Sequence, residues 1–419
     1  MTNLNSLGFV PNVPGSRSIA ARALVCASLA SGQSQVTNTP ICDDTTAITG
    51  CINQLTSTAS VRGTTTTVDG WGEVKPLGEL LDCNASGTTL RFIAALALLT
   101  DSEISLTGTA RLLERPMDGL SQVLEACGKT VSNNGQILRI SGKPQIPDEL
   151  SVDASKSGQF VSGLLMALAA IGKPIKITAN NPVSIPFIKM TIEVMKSFGA
   201  QVEVTELESD LVFKLTGSGY QEKNYTVEPD IMSANYFLAA AALTGKPVFI
   251  PNITKNTIQG DVAMVFALEK MGAQIEFIEG GIRSSLQSGQ KLSGCKADLG
   301  RMPDMSLTLA ALASVAIGQT ILTSARILKF KESDRKTVIV NELSKLGAGV
   351  EVSQDEDTIT ITPAQTLSPA AIDTYEDHRV AMAFGILTLV EPEIVINDPG
   401  CVSKTWPDFF SELARYQAS

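Results

Sequence analysis

Ser16-Arg17-Ser18-Ile19-Ala20-Ala21-Arg22, continued by Ala23-Leu24-Val25-Cys26-Ala27-Ser28-Leu29-Ala30, reads as a helix with hydroxyls at its start, basic residues in its first turns and an alanine-rich body. Hydroxyls at that position satisfy amides with no partner inside the helix. Cations there oppose the helix dipole, which favours negative charge at the amino end. A start that gathers Arg17 and Arg22 is poorly designed for helix stability and well designed to hold an anion, because free amides and cations converge on one spot. Taken singly, the stretch is a polar helix start with two solvated arginines.

It is not single. Ser86-Gly87-Thr88-Thr89-Leu90-Arg91, Ser157-Gly158-Gln159-Phe160, Ser233-Ala234-Asn235-Tyr236, Asp304-Met305-Ser306 and Asp377-His378-Arg379 each lead into an apolar run. The turns that close these runs fall at Gly32, Asp101, Gly172, Gly245, Gly318 and Glu391, at intervals of 69, 71, 73, 73 and 73 residues. A second marker keeps the same period. Leu124-Glu125-Ala126-Cys127-Gly128, Met195-Lys196-Ser197-Phe198-Gly199, Leu268-Glu269-Lys270-Met271-Gly272 and Leu343-Ser344-Lys345-Leu346-Gly347 each read as an amphipathic helix stopped by glycine, followed by a strand. Two periodic markers in phase indicate internal repeats, longer than those of common solenoids, so each repeat is a small αβ unit.

Six such units fill 419 residues. Three lie within 13–225, which ends in the polar stretch Gly217-Ser218-Gly219-Tyr220-Gln221-Glu222-Lys223-Asn224, and three follow from 226 onward. The expected architecture is two similar lobes with pseudo-threefold symmetry. The segment holding Leu4, Leu7 and Phe9-Val10 is expected to pair with the second lobe, which makes 1–12 plus 226–419 one domain. Aromatics make up only 5% of the chain, so aliphatic residues and alanine must fill both cores. A net charge of −10 argues against nucleic acid or a membrane surface as partner, and any anion site must rest on a local cluster of cations. Seven cysteines, none at CxxC spacing, point to free thiols in a reducing compartment rather than disulfides or a zinc site. No secretory signal is visible, and the longest apolar runs are too short to span a membrane.

Three further motifs carry chemistry. In Glu114-Arg115-Pro116-Met117, Pro116 can open a helix, with Arg115 just outside it. In Lys331-Glu332-Ser333-Asp334-Arg335, the two cations repel unless an anion or Glu332 lies between them, and Glu332 is a carboxylate held among cations, fit for acid/base work. Asp377-His378-Arg379 holds the only histidine, and Lys404 follows in Ser403-Lys404-Thr405-Trp406-Pro407. GxxxxGK[ST], GxGxxG and GxSxG are all missing, which disfavours nucleotide-driven and triad chemistry. The remaining reading is a cofactor-free site, rich in arginine and lysine, for phosphorylated carboxylates.

These motifs, in order and over nearly the whole chain, resemble the 5-enolpyruvylshikimate-3-phosphate synthase family. The resemblance implies an α/β (α+β) fold of two inverse, barrel-like domains, each of three βαβαββ units, with the active site in the cleft between them. It implies transfer of the carboxyvinyl group of phosphoenolpyruvate to the hydroxyl of shikimate 3-phosphate with release of phosphate. Such an enzyme serves aromatic biosynthesis as a cytoplasmic monomer without metal or cofactor. Arg17, Gly87, Arg115, Gln159, Arg335, Arg379 and Lys404 would bind phosphoenolpyruvate. Arg17, Ser18, Arg22, Ser157, Gly158, Gln159, Ser184, Asp304, Ile327 and Lys331 would line the acceptor site. Asp304 and Glu332 would be the acid/base pair, with Arg17 and Lys404 beside the reacting groups.

Departures from the family pattern fall on the acceptor side, apart from the shared contact at Arg17. Arg17 stands where the family has a lysine, Gly158 where it has a phosphate-binding serine, Phe187 where it has a tyrosine, and Ile327 where some members have asparagine. Arginine keeps the charge but stays protonated and presents a bulkier fork. The departures leave open a different cyclic-polyol acceptor, or a catalytically weak anion-binding homologue. The related UDP-N-acetylglucosamine enolpyruvyl transferases are disfavoured, because their hallmark cysteine would fall near Ala110.

Overall fold

The computed structural model describes residues 7–300 and 302–419, with the side chain of Asp261 left aside. The chain divides into two compact units, Gly15–Val227 and the N-terminal residues up to Pro14 with Glu228–Ser419.

In the Gly15–Val227 unit, the helices Arg17–Leu29, Gly87–Leu96 and Gly158–Ala169 form the core. They are apolar nearly all round, so burial on every side is their stable outcome. Even Arg22, Arg91 and Ser162 on them are buried. Small residues let these helices pack closely: a Cβ on Gly163 would lie 3.0 Å from the carbonyl oxygen of Arg91. The helices Asp43–Asn53, Asp118–Ala126 and Ile185–Ser197 are amphipathic, each burying one face.

Three four-stranded sheets surround them, all wired alike. Leu80–Asp82 pairs in parallel with Ile104–Thr107, which pairs antiparallel with Leu138–Ser141, itself antiparallel to Thr130–Asn133. Glu149–Asp153, Ile175–Asn180, Asp210–Leu215 and Val202–Glu206 repeat the pattern. The third sheet combines Ser31–Thr37, Thr65–Trp71 and Ser57–Arg62, and its parallel edge comes from Asn224–Thr226 at the far end of the unit. Alternating burial along Ile175–Asn180 shows why such strands read as period two.

The other unit repeats this plan around Ile231–Thr244, Ser306–Ala313 and His378–Gly385. Lys296–Asp298, Thr320–Thr323, Thr358–Thr362 and Gly349–Val352 form the same four-stranded sheet. In the sheet of Val248–Pro251, Gly281–Ser285 and Gln274–Ile278, Phe9 bridges Val248 in parallel. Phe9 thus fills the edge place that a strand fills elsewhere; Leu4, expected in the same pairing, lies outside the described residues. The last sheet is only the parallel pair Ala371–Ile372 and Val395–Ile396, after which the chain turns into the helix Phe409–Ala418.

Several boundaries differ from expectation for local reasons. The fourth core helix starts at Ile231, because the carboxylate of Asp230 caps it by accepting from Ser233 N at 3.0 Å and Ser233 Oγ at 2.6 Å. Ser233 is therefore a first-turn residue rather than the cap. Ser16 occupies the cap position without a side-chain cap bond, so the first-turn amides of that helix are not taken up by it. Gly32 lies in a strand rather than in the closing turn. Pro116 precedes the helix Asp118–Ala126 instead of opening it, and its carbonyl accepts from Arg91 Nη2 at 3.0 Å.

Candidate active site

Each unit carries one cluster of charged groups at the amino ends of its core helices. In the Glu228–Ser419 unit the centre is Asp304, on the short turn Pro303–Met305 that leads into Ser306–Ala313. Its Oδ1 lies 3.1 Å from Lys331 Nζ and 2.8 Å from Arg335 Nη1, and its Oδ2 lies 3.7 Å from Arg379 Nη2. The anion that the Lys331/Arg335 pair requires is thus Asp304. Glu332 turns instead to Arg335 Nη2 at 2.8 Å and Lys404 Nζ at 3.8 Å.

Arg335 is fully buried, and its guanidinium is spanned by three carboxylates. Asp377 accepts from its Nε at 2.8 Å and its Nη2 at 3.3 Å. Asp377 also accepts from Ser333 Oγ at 3.0 Å and caps its own helix through Arg379 N at 3.0 Å. Arg379 donates to Tyr236 OH at 3.4 Å from the neighbouring core helix. Burial pushes the Asp304 carboxyl up, but Lys331, Arg379 and Arg335 outweigh it and hold the group well below the usual carboxylate range. Burial likewise lowers Arg335, and Asp377, Glu332 and Asp304 more than reverse this. Four cations thus meet three carboxylates in a largely desolvated site, where electrostatic interactions are strong.

In the Gly15–Val227 unit the corresponding cluster gathers Gly87, Thr88, Arg91, Arg115 and Gln159. Ser86 caps the Gly87–Leu96 helix by accepting from Thr89 N at 3.3 Å. A Cβ on Gly87 would lie 2.5 Å from Arg115 Nη1, so glycine is what lets that guanidinium approach the helix start. Arg115 Nε is buried and has no hydrogen-bond partner among the described residues. Arg91 Nη1 donates to Gln159 Oε1 at 2.6 Å, and Gln159 Nε2 donates to Thr88 Oγ1 at 3.0 Å. Ser157 caps the Gly158–Ala169 helix by accepting from Gln159 N.

The remaining acceptor-side residues form a more occupied group. Arg17 is ion-paired with Asp44 in the first turn of Asp43–Asn53. Arg22 donates to Thr191 Oγ1 at 2.7 Å, Ser18 O at 2.7 Å and Phe187 O at 3.2 Å, and lies over the Phe92 ring. Burial lowers it to about 9, so it remains a cation at neutral pH. Ser184 occupies the cap position of Ile185–Ser197 in a left-handed conformation, φ 55°, without a side-chain cap bond. A Cβ on Gly158 would lie 2.5 Å from the carbonyl oxygen of Val183, so this backbone leaves no room for the serine of the family pattern. Ile327 lies half-buried on the turn Ala325–Phe330, directly ahead of Lys331.

Arg91, Asp44 and Tyr236 belong to these clusters and are not singled out by sequence alone. Arg91 was legible in principle, since it sits one helical turn after Gly87 on the same face. Asp44 reads as an ordinary dipole-compensating acid, and Tyr236 as core. Among the described residues no group of three or more His, Cys, Asp or Glu could hold a metal ion, and no helix is long and apolar enough to cross a membrane.

Comparison with known proteins gives the lineage of the chain. The family model of EPSP synthase (3-phosphoshikimate 1-carboxyvinyltransferase) matches residues 5–413. A 3-phosphoshikimate 1-carboxyvinyltransferase of Vibrio cholerae serotype O1 (strain M66-2) is 39% identical over 418 residues, covering 96% of each chain. One from Vibrio campbellii is 37% identical over 422 residues, covering 98% of this chain and 97% of its own. The solved EPSP synthase of Acinetobacter baumannii superposes with a TM-score of 0.79 at 24% identity, covering 98% of this chain and 96% of that one. The enolpyruvyl transferase NikO from Streptomyces tendae gives a TM-score of 0.71 at 17% identity, covering 98% of this chain and 94% of that one. The two structural matches bear on fold; the family model and the Vibrio relatives bear on lineage and activity. With its repeated αβ units and its paired clusters of cations, this chain belongs to the EPSP synthase family, the 3-phosphoshikimate 1-carboxyvinyltransferases.

Proposed function

We propose that the two clusters serve one reaction, transfer of the carboxyvinyl group of phosphoenolpyruvate to shikimate 3-phosphate, with the roles divided as follows. Arg335 and Arg379 hold the carboxylate of phosphoenolpyruvate, and Arg115, Lys404 and Arg17 its phosphate, with Gly87 keeping the approach open. Ser18, Arg22, Ser157, Gln159, Ser184 and Lys331 bind the acceptor, beside Gly158 and Ile327. Asp304 accepts the proton of the acceptor hydroxyl as its oxygen attacks C2 of phosphoenolpyruvate, and Glu332 delivers a proton to the methylene carbon. The tetrahedral adduct then loses phosphate as the methyl proton returns to Glu332, which restores the double bond.

The observation that carries this reading is the set of cations around Asp304. Asp304, Glu332 and Asp377 pair with these cations, which makes Asp304 a weak base. A bound carboxylate neutralises Arg335 and Arg379, which raises the proton affinity of Asp304 when a base is needed. The fixed cations stabilise the adduct, which carries both a carboxylate and a phosphate.

The proposal extends to a cytoplasmic monomer that acts on these two small anions without nucleic acid, membrane or cofactor. The net charge of −10 supports this by disfavouring polyanionic surfaces, and sedimentation of the purified chain tests the monomer. The central test is steady-state phosphate release from phosphoenolpyruvate, with and without shikimate 3-phosphate. Release is expected only when both are present. In Arg379→Lys, loss of the guanidinium fork is expected to raise KM for phosphoenolpyruvate about 30-fold, the equivalent of about 2 kcal/mol for a charged hydrogen bond. Phosphate release that ignores shikimate 3-phosphate would overturn the acceptor assignment.

A further inference from the structure

Two consecutive residues just ahead of Asp377, Tyr375 at φ 54° and Glu376 at φ 56°, adopt left-handed backbone conformations. Asp377 N donates to Thr374 O at 2.8 Å and closes a four-residue turn around them. Turns with two left-handed central residues favour glycine, asparagine and aspartate. An aromatic residue followed by glutamate is strained there, so contacts outside the turn must hold it.

The contact lies on the helix that carries Arg335. Tyr375 OH donates to Glu342 Oε1 at 2.6 Å, and Glu342, on Arg335–Lys345, has a fully buried side chain. Its second oxygen accepts from Lys345 Nζ at 2.7 Å and from Asp373 N at 3.1 Å, just ahead of the turn. The turn and the helix are therefore joined at two places about two helical turns apart: Asp377 meets Arg335, and the Tyr375 hydroxyl donates to Glu342 and accepts from Asn341 Nδ2 at 3.3 Å. One joint fixes a separation, whereas two also fix an orientation.

We propose that Tyr375 and Glu342 are positioning residues: their hydrogen bond holds the strained turn so that Arg379 and Arg335 present their guanidinium groups to the phosphoenolpyruvate carboxylate in one fixed geometry. This rests on the assignment of Arg335 and Arg379 made above. Neither Tyr375 nor Glu342 touches substrate; both act through the two arginines. The strain resides in the Thr374–Asp377 turn and the support in a helix that already carries a substrate-binding residue, so loosening the joint should weaken carboxylate binding more than it slows the chemical step.

The test uses the full chain and three substitutions. Tyr375→Phe keeps the ring and removes the donor; KM for phosphoenolpyruvate is expected to rise about tenfold, with kcat within about twofold of the parent. Glu376→Gly puts at this φ a residue that adopts it without strain, and is expected to leave activity unchanged. Combined with Tyr375→Phe, it is expected to restore most of the lost affinity, because the turn then needs less holding. Arg379→Lys is measured alongside. If Arg379→Lys raises KM and Tyr375→Phe does not, the positioning role is overturned while the site assignment stands. If Glu376→Gly fails to relieve the Tyr375→Phe defect, and the defect tracks a lowered melting temperature, the hydrogen bond serves general stability and the proposal falls. An unchanged KM in Arg379→Lys removes the site assignment and this inference with it.

Discussion

Arg17 shows how a single side chain shapes this site. It lies in the first turn of its helix, where a cation is unfavourable, and Asp44 offsets that charge. A lysine there would meet Asp44 through one ammonium rather than a planar fork, and could exchange a proton more readily. Arg17→Lys is expected to raise turnover with shikimate 3-phosphate; an unchanged or lower rate of phosphate release would mean that the pocket has adapted to arginine. Asp304 gives a sharper case. As the proposed base it is expected to lose roughly 10²-fold or more in kcat as Asp304→Asn. Its carboxyl is held well below the usual carboxylate range, so the folded state binds fewer protons than the unfolded one. Its stabilising contribution is therefore present above about pH 4 and lost as pH falls further. Melting temperatures followed from pH 6 down to pH 3 should fall more steeply for the parent than for Asp304→Asn.

The repeated helix starts are variations on one device with different local endings. Ser86, Ser157, Asp230 and Asp377 cap their helices with side-chain oxygens, while the starts at Ser16 and at Asp304-Met305-Ser306 have no side-chain cap bond. At Gly158 the helix start presses on the Val183 carbonyl, and that contact decides which residue is tolerated. Restoring the family serine as Gly158→Ser should therefore destabilise the chain by about 1–3 kcal/mol, the usual cost of overpacking, rather than improve acceptor binding. Thermal unfolding together with KM for shikimate 3-phosphate would check this, and a tighter KM at unchanged stability would refute it. The helix Arg335–Lys345 joins more of the site than any single motif suggested. Arg335 meets three carboxylates at one end of it, and Glu342 braces the Thr374–Asp377 turn near the other.

Across the whole chain, the proposed substrate contacts are divided between two units that differ mainly at their ends. The Gly15–Val227 unit completes three four-stranded sheets, one of them by borrowing Asn224–Thr226. The other unit ends on a two-stranded sheet and a terminal helix. On the proposed assignment both ligands draw residues from both units, and the small-angle scattering profile is then expected to change when phosphoenolpyruvate and shikimate 3-phosphate are both present. Identical profiles with and without them would count against shared binding.

Period and residue type were enough to reveal six αβ repeats, the helix starts that gather charge, and the motifs from Ser16 to Lys404 that carry the family resemblance. Those features are local or periodic, and hydrophobic spacing, caps and glycine stops write them directly into the chain. Folding alone could decide which charges meet. Asp304 and Arg335 are thirty-one positions apart, Arg335 and Asp377 forty-two, Arg91 and Gln159 sixty-eight. No sequence period encodes those pairings, because each depends on how neighbouring repeats pack their helix ends. For the same reason the strain at Tyr375 and Glu376, the crowding at Gly158 and the lowered proton affinity of Asp304 became visible only once the backbone had brought distant groups together.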